Sequence, residues 1–201
     1  MRDAQNIEQV SQLRIDMMGF IFYEKSSRFV HKEDVPDFKN LEHLSLKKVG
    51  VFVNAKTHEV LEKVGEFQLD FIQLHGDESP EYCADLKNVW PSIKIIKAFS
   101  VNEDFDFEKT KEYEEACDLF LFDTKGKNRG GNGVVFDWEL LKKYDGETPF
   151  LLSGGIGLEH SEAISKLNFP KMIGVDLNSK FELEPALKDV EKLKEFISKI
   201  K

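Results

Sequence analysis

One rhythm constrains this chain more than anything else in it. Seven short apolar runs, at 16–22, 48–53, 70–74, 93–99, 118–122, 149–152 and 172–177, alternate with helical patterns along the sequence. Their spacing of roughly 20–30 residues is that of βα units. The runs are nearly continuous in apolar residues rather than alternating, which is the mark of parallel strands buried on both faces. A parallel strand cannot reach its neighbour through a hairpin. Each gap must therefore hold a crossover, usually a helix.

The gaps read accordingly. Val60, Leu61, Val64 and Phe67 share one helical face, and Ser79-Pro80-Glu81 supplies an N-cap, a first-turn proline and an acid. Asp137 can cap a helix carrying Leu140, Leu141 and Tyr144, and Leu187, Val190, Leu193, Phe196, Ile197 and Ile200 mark a final amphipathic helix. The chain opens on a helical pattern as well, Ile7, Val10 and Leu13 behind a capping Asp3. Seven strands and eight helices are expected in one α/β domain over residues 1–201, with no linker or shift of composition. Seventeen Phe against two Trp and four Tyr make Phe the expected core filler. Two architectures fit this order: an open doubly wound sheet, or a (β/α)₈ (TIM) barrel missing its first strand.

Charge and cysteines narrow the partners. A net charge of −9 and a pI near 5.2 argue against nucleic acid, whose phosphates need clustered Lys and Arg. A small anion remains open, since a few local donors can oppose the global charge. No apolar run approaches the ~18 residues of a membrane span, and the polar start lacks the apolar core of a secretory signal. Cys83 and Cys117 form no CxxC or Cys/His cluster, which fits a reducing cytoplasm and no metal site.

In a parallel α/β fold the chemistry gathers in loops after the strands' C-terminal ends. Arg28, six residues past the first run, can clamp a carboxylate with its planar fork or simply be a solvated loop arginine. His75 can serve acid–base chemistry or be a structural histidine. Asp123 ends its run where a proton donor or acceptor would stand, or where a turn is capped. Gly130-Gly131-Asn132-Gly133 suggests a loop able to fold over a ligand. Ser153-Gly154-Gly155 and Asn178-Ser179 follow the last two runs. There, glycine backbone can turn its N–H groups toward a phosphate, although a pair of tight turns reads the same way.

Taken in order, these motifs resemble the phosphoribosylanthranilate isomerase family over nearly the whole chain. The matching residues are Gly19-Phe20-Ile21-Phe22-Tyr23 with Lys25, Ser26 and Arg28, then Val49-Gly50-Val51-Phe52-Val53-Asn54 and Gln73-Leu74-His75-Gly76-Asp77-Glu78. They continue through Phe122-Asp123-Thr124, Gly130, Gly131 and Gly133 with Phe136-Asp137-Trp138, Ser153-Gly154-Gly155 and Gly174-Val175-Asp176. The resemblance implies a cytoplasmic barrel enzyme of tryptophan biosynthesis, monomeric or homodimeric. Without a cofactor it rearranges N-(5-phosphoribosyl)anthranilate, a small phosphosugar, into its ribulose-phosphate isomer. It implies Asp123 as general acid and Arg28 at the anthranilate carboxylate. Gly154, Gly155, Asn178 and Ser179 would bind phosphate, and His75, Gly131 and Asp176 would add further substrate contacts.

The resemblance also implies a general base that this sequence does not show. The family carries it as a cysteine in a Cys-Gly-Met or Cys-Gly-Ile motif ending strand 1, and Met1-Arg2-Asp3-Ala4 reads like the tail of that motif. The expectation is therefore a chain without strand 1 and its base, impaired in turnover; a phosphosugar-binding pseudoenzyme is the alternative. An epimerase would need metal-ligating His and Asp at strand ends, and an indole-glycerol-phosphate synthase an early pair of lysines. Lys180 also departs from the family, which has glycine there, and Val134 and Val135 replace a more polar pair.

Overall fold

Each of the seven apolar runs forms a strand, and all seven lie in one parallel sheet in chain order. The computed structural model describes residues 1–31, 33, 46–124 and 138–200. The strands are β1 (Met17–Ile21), β2 (Lys47–Phe52), β3 (Phe71–Leu74), β4 (Lys94–Val101), β5 (Leu119–Thr124), β6 (Phe150–Ser153) and β7 (Met172–Val175), each paired only with its neighbours in sequence.

The helices pack on one face of this sheet. Helix α1 (Ala4–Ser11) starts at Asp3, whose carboxylate accepts from Asn6 N at 2.7 Å, and buries Ile7 and Val10. Helix α2 (Thr57–Phe67) buries Val60, Val64 and Phe67. Helix α3 (Pro80–Val89) begins on the expected Ser79 cap and buries Cys83 and Leu86. Helix α4 (Ser161–Ser165) is short, and α5 (Val190–Lys199) buries Leu193 and Phe196. Phe does fill this layer: Phe20, Phe52, Phe67, Phe120, Phe122, Phe150, Phe181 and Phe196 are fully buried.

Among the described residues no helix lies on the opposite face, yet Val49, Ile96, Ala98, Leu119 and Leu121 are buried there, with Met17, Phe71 and Leu151 against them. Apolar side chains on an uncovered flat sheet would face water. The sheet instead curls so that its own strands cover this face, which is how a barrel encloses its interior.

The curl does not close. β1 and β7 are the two edges, and among the described residues no strand pairing joins them. The nitrogen of Met1 donates to Gly19 O at 2.7 Å, alongside β1 where a further parallel neighbour would run. Side chains partly bridge the seam. A small antiparallel hairpin, β8 (Glu182–Glu184) and β9 (Leu187–Lys188), follows β7. Asn6 of α1 clamps its end, donating to Lys188 O at 2.9 Å and accepting from Lys188 N at 2.7 Å.

The eight helices expected from sequence need correction. Among the described residues five are α-helices, while the connections after β4 and β5 are 3₁₀ segments, Phe107–Tyr113 and Trp138–Lys143. Most of the connection between β1 and β2 lies outside the described residues. The last helix starts at Val190, because Leu187 belongs to the hairpin.

Candidate active site

Side chains alternate along a strand, so every second residue past the interior cluster stays on the inner face. From Leu121 that row reaches Asp123, from Leu151 it reaches Ser153, and from Gly174 it reaches Asp176, all at the C-terminal rim. On β3 the row through Phe71 and Gln73 continues to His75. Neighbouring rows stand in register, with Asp123 opposite Ser100 on one side and Ser153 on the other.

Two contacts order these groups. The Gln73 amide nitrogen lies 3.0 Å from His75 Nδ1. An amide nitrogen only donates, so Nδ1 accepts and the neutral ring carries its proton on Nε2. Nε2 faces Asp123, 3.7 Å from Oδ2. Both side chains remain partly open to solvent, 34% for His75 and 21% for Asp123, as a rim that meets a substrate must be. Next along the rim Ser153 Oγ donates to Asp176 Oδ2 at 3.0 Å.

The loop after Ser153 turns sharply. Gly154 and Gly155 have φ of 102° and 62°, in the left-handed region that side chains with a Cβ avoid. Around Gly155 there is open space, so it is backbone conformation and not crowding that calls for glycine. Among the described residues no protein acceptor takes the N–H of either glycine. Asn178 and Ser179 follow β7 and are exposed, as is Lys180.

Arg28 lies at the seam and is held from the far end of the chain. Its Nε donates to both oxygens of Glu182 at 3.0 and 2.9 Å, and its Nη2 to Oε2 at 2.6 Å. Glu182 also receives Lys188 Nζ at 3.3 Å and Ala186 N at 3.2 Å. Lys188 Nζ goes on to Asn178 Oδ1 at 2.8 Å and Leu177 O at 3.3 Å. Burial alone would push the Glu182 carboxyl up, but the Arg28 hydrogen bonds and the Lys188 and Arg28 charges outweigh it and hold it below the ordinary carboxylate value. Burial lowers the Lys188 ammonium against the pull of Glu182 and Asp176.

The structure thus brings His75 beside Asp123 and joins Arg28 through Glu182 and Lys188 to the segment after β7, while Gly154 and Gly155 form a separate turn after β6. Gly131, with Val134 and Val135, lies outside the described residues. Sequence reasoning missed Gln73, Glu182 and Lys188. The Gln73–His75 spacing of two on a strand was the available signal for the first; a glutamate and a lysine near a strand end carry none.

Neither cysteine joins the rim. Cys83 is buried within α3, and Cys117 is buried just before β5, at the opposite end of that strand from Asp123. The hydrogen bond with Cys83, reinforced by burial, pushes the Cys117 thiol well above the ordinary range. Among the described residues there is no group of three or more metal-ligating side chains, and no helix is long and apolar enough to cross a membrane.

The family model described as N-(5'phosphoribosyl)anthranilate (PRA) isomerase matches residues 1–199. An N-(5'-phosphoribosyl)anthranilate isomerase of Parabacteroides distasonis is 52% identical over 201 residues, covering 100% of this chain and 90% of that protein. Two solved structures superpose with a TM-score of 0.82 over 100% of this chain and 94% of theirs. One is a monomeric form of the dimeric phosphoribosylanthranilate isomerase of Thermotoga maritima, 29% identical. The other, 30% identical, is a phosphoribosyl anthranilate isomerase in complex with reduced 1-(o-carboxyphenylamino)-1-deoxyribulose 5-phosphate.

Proposed function

The chain belongs to the N-(5'-phosphoribosyl)anthranilate isomerase family, the TIM-barrel isomerases of tryptophan biosynthesis, and from that premise we propose which of its residues carry the reaction. The reaction is an Amadori rearrangement, from an aminoaldose to an aminoketose. Asp123 gives a proton to the ribose ring oxygen, the ring opens to a Schiff base, loss of the C2 proton gives an enolamine, and this becomes the ketone. The observation that carries the assignment is the place of Asp123: at the end of the inward row of β5, partly solvated, with the Nε2 face of His75 at 3.7 Å. His75 can then donate to the substrate or to the carboxylate that Asp123 becomes.

The two ends of the substrate are held apart from this centre. The N–H groups of Gly154 and Gly155, unpaired among the described residues, bind phosphate with Asn178 and Ser179, and Gly131 adds to that end. Asp176 is anchored by Ser153 between the two loops and meets the sugar hydroxyls. Arg28 takes the anthranilate carboxylate. The chain works in the cytoplasm on this small anion, without a cofactor or a nucleic-acid partner, as a monomer or a homodimer. Removal of the C2 proton falls to neither Cys83 nor Cys117, both of which are buried away from the rim.

The test of Asp123 uses a form of the chain preceded by a strand ending in Cys-Gly. There Asp123→Asn should cut turnover by roughly 10²–10⁴-fold while sparing affinity for the reduced product analogue. Turnover within a few-fold of the parent would assign the acid to another residue.

A further inference from the structure

Arg28 has five N–H donors in a rigid plane, and Glu182 engages only one edge of it. The Nε–H and one Nη2–H are taken, while among the described residues Nη1 makes no hydrogen bond. An arginine free to rotate would spread its donors over many directions, and ordering it on binding would cost side-chain entropy. Here the guanidinium is fixed beforehand by a carboxylate whose side chain is only 4% exposed, while its own is 25% exposed. What remains to a ligand is the outer edge, formed by Nη1 and the second Nη2–H, which suits an end-on carboxylate.

The same glutamate is tied to the other end of the site. Lys188 links Glu182 Oε1 to Asn178 Oδ1 and Leu177 O, so one carboxylate is joined both to the arginine after β1 and to the segment after β7. These two segments flank the seam, and among the described residues this chain of side chains is what links them. We propose that Glu182 is a positioning residue. It fixes the inner edge of Arg28 and, through Lys188 and Asn178, sets the distance between the carboxylate-holding arm and the phosphate-holding segment. This rests on the reading of Arg28 as the holder of the aromatic carboxylate.

Calorimetric titration of the full chain tests it without any need for turnover. The probes are the reduced product analogue, which carries the aromatic carboxylate, and its phenyl counterpart, which lacks it. Glu182→Gln should weaken the carboxylated analogue roughly tenfold and the phenyl analogue by less than twofold. In an Arg28→Ala background, Glu182→Gln should cause no further loss. Equal weakening of both analogues would reduce Glu182 to a general brace of the pocket and overturn the proposal. So would an unchanged affinity for the carboxylated analogue, or an undiminished loss on top of Arg28→Ala. Arg28→Ala alone, binding the carboxylated analogue as tightly as the parent, would instead remove the underlying reading of Arg28. Should Glu182→Gln fail to fold, Glu182→Asp keeps the charge and withdraws it by one methylene. It should show the same selective loss in smaller measure, and is overturned by the same outcomes.

Discussion

Two buried ion-pair networks lie at the same rim of this sheet and do different work. The central one joins Lys97 of β4 to Glu78 at 3.2 Å, with side chains only 3% and 2% exposed. Lys97 Nζ also donates to Gly76 O at 2.8 Å, Ala98 O at 3.1 Å and Leu74 O at 3.3 Å, while Glu78 accepts from Asn54 N at 2.8 Å and Gly76 N at 3.0 Å. Asn54 Oδ1 presses so near Gly76 that a Cβ there would come within 2.3 Å of it. The seam network joins Arg28, Glu182 and Lys188, with a guanidinium edge left over. Where β2, β3 and β4 already pair, the charges are consumed by the protein and harden the loop bearing His75. At the seam the charges run from the arginine after β1 to the segment after β7 and stay available to a ligand.

The largest effect should come from changing the seam itself. A strand ending in Cys-Gly, placed ahead of Met1, would pair with β1, cover the edge of β7 and bring a thiol to the rim. Supplying a general base is worth roughly 10²–10⁴-fold in rate, and each buried Leu-sized side chain it adds to the interior about 2–5 kcal/mol. Steady-state turnover and thermal melting of the 201-residue chain and the extended one measure both gains. Normal turnover by the 201-residue chain would show that its base is already present. An unchanged melting transition would show that the side-chain bridge alone secures the seam.

That bridge marks the limit of what the residues disclosed on their own. The parallel strands were legible because burial on both faces leaves continuous apolar runs, and each was found within a residue or two of its ends. The His75 and Asp123 positions were legible as polar residues ending such runs. The hairpin was not: Glu182–Glu184 and Leu187–Lys188 are too short for an alternation to stand out, and Ala186 turns the chain at a φ of 72° without glycine. Nor was the burial of Glu182, which depends on an arginine 154 residues away. The 3₁₀ segment after β5 read as a helix because side-chain periodicity over one or two turns does not separate i+3 from i+4 hydrogen bonding.

A pair of lysine substitutions sharpens the contrast. Lys97→Met leaves Glu78 buried with an unpaired charge and three carbonyls short of a donor, and should destabilise the fold by about 3–5 kcal/mol. Lys188→Met should cost clearly less, because Glu182 keeps its bidentate pair with Arg28 and the Ala186 N–H. Urea unfolding of both variants decides this. Equal losses would mean that the seam is as rigid a structural brace as the centre.

The smallest expected effect is acid sensitivity confined to the seam. Glu182 is faced by Arg28, Lys188 and the Ala186 N–H, with Asp176 beyond Lys188 and the buried Met1 amine nearby, lowered by burial to about 5; its folded-state pKa lies below the ordinary carboxylate value. At neutral pH it is ionised whether the chain is folded or not, and the full stabilising contribution of its ion pairs is present. As the pH falls through the ordinary glutamate value of about 4.3, the unfolded chain takes up the proton first, so stability begins to drop. The contribution is gone once the pH has passed below the folded-state value. Glu182→Gln has no proton to bind there and should lose less stability over that interval than the parent, although it starts lower at pH 7. Carboxylates elsewhere titrate in both proteins and cancel in the difference, which reads Glu182 together with the Met1 amine coupled to it. Urea midpoints measured between pH 7 and pH 3 give that difference directly. Parallel curves would show that the Glu182 carboxylate gains nothing from folding, and the seam would then be held by the Asn6 clamp and the hairpin backbone.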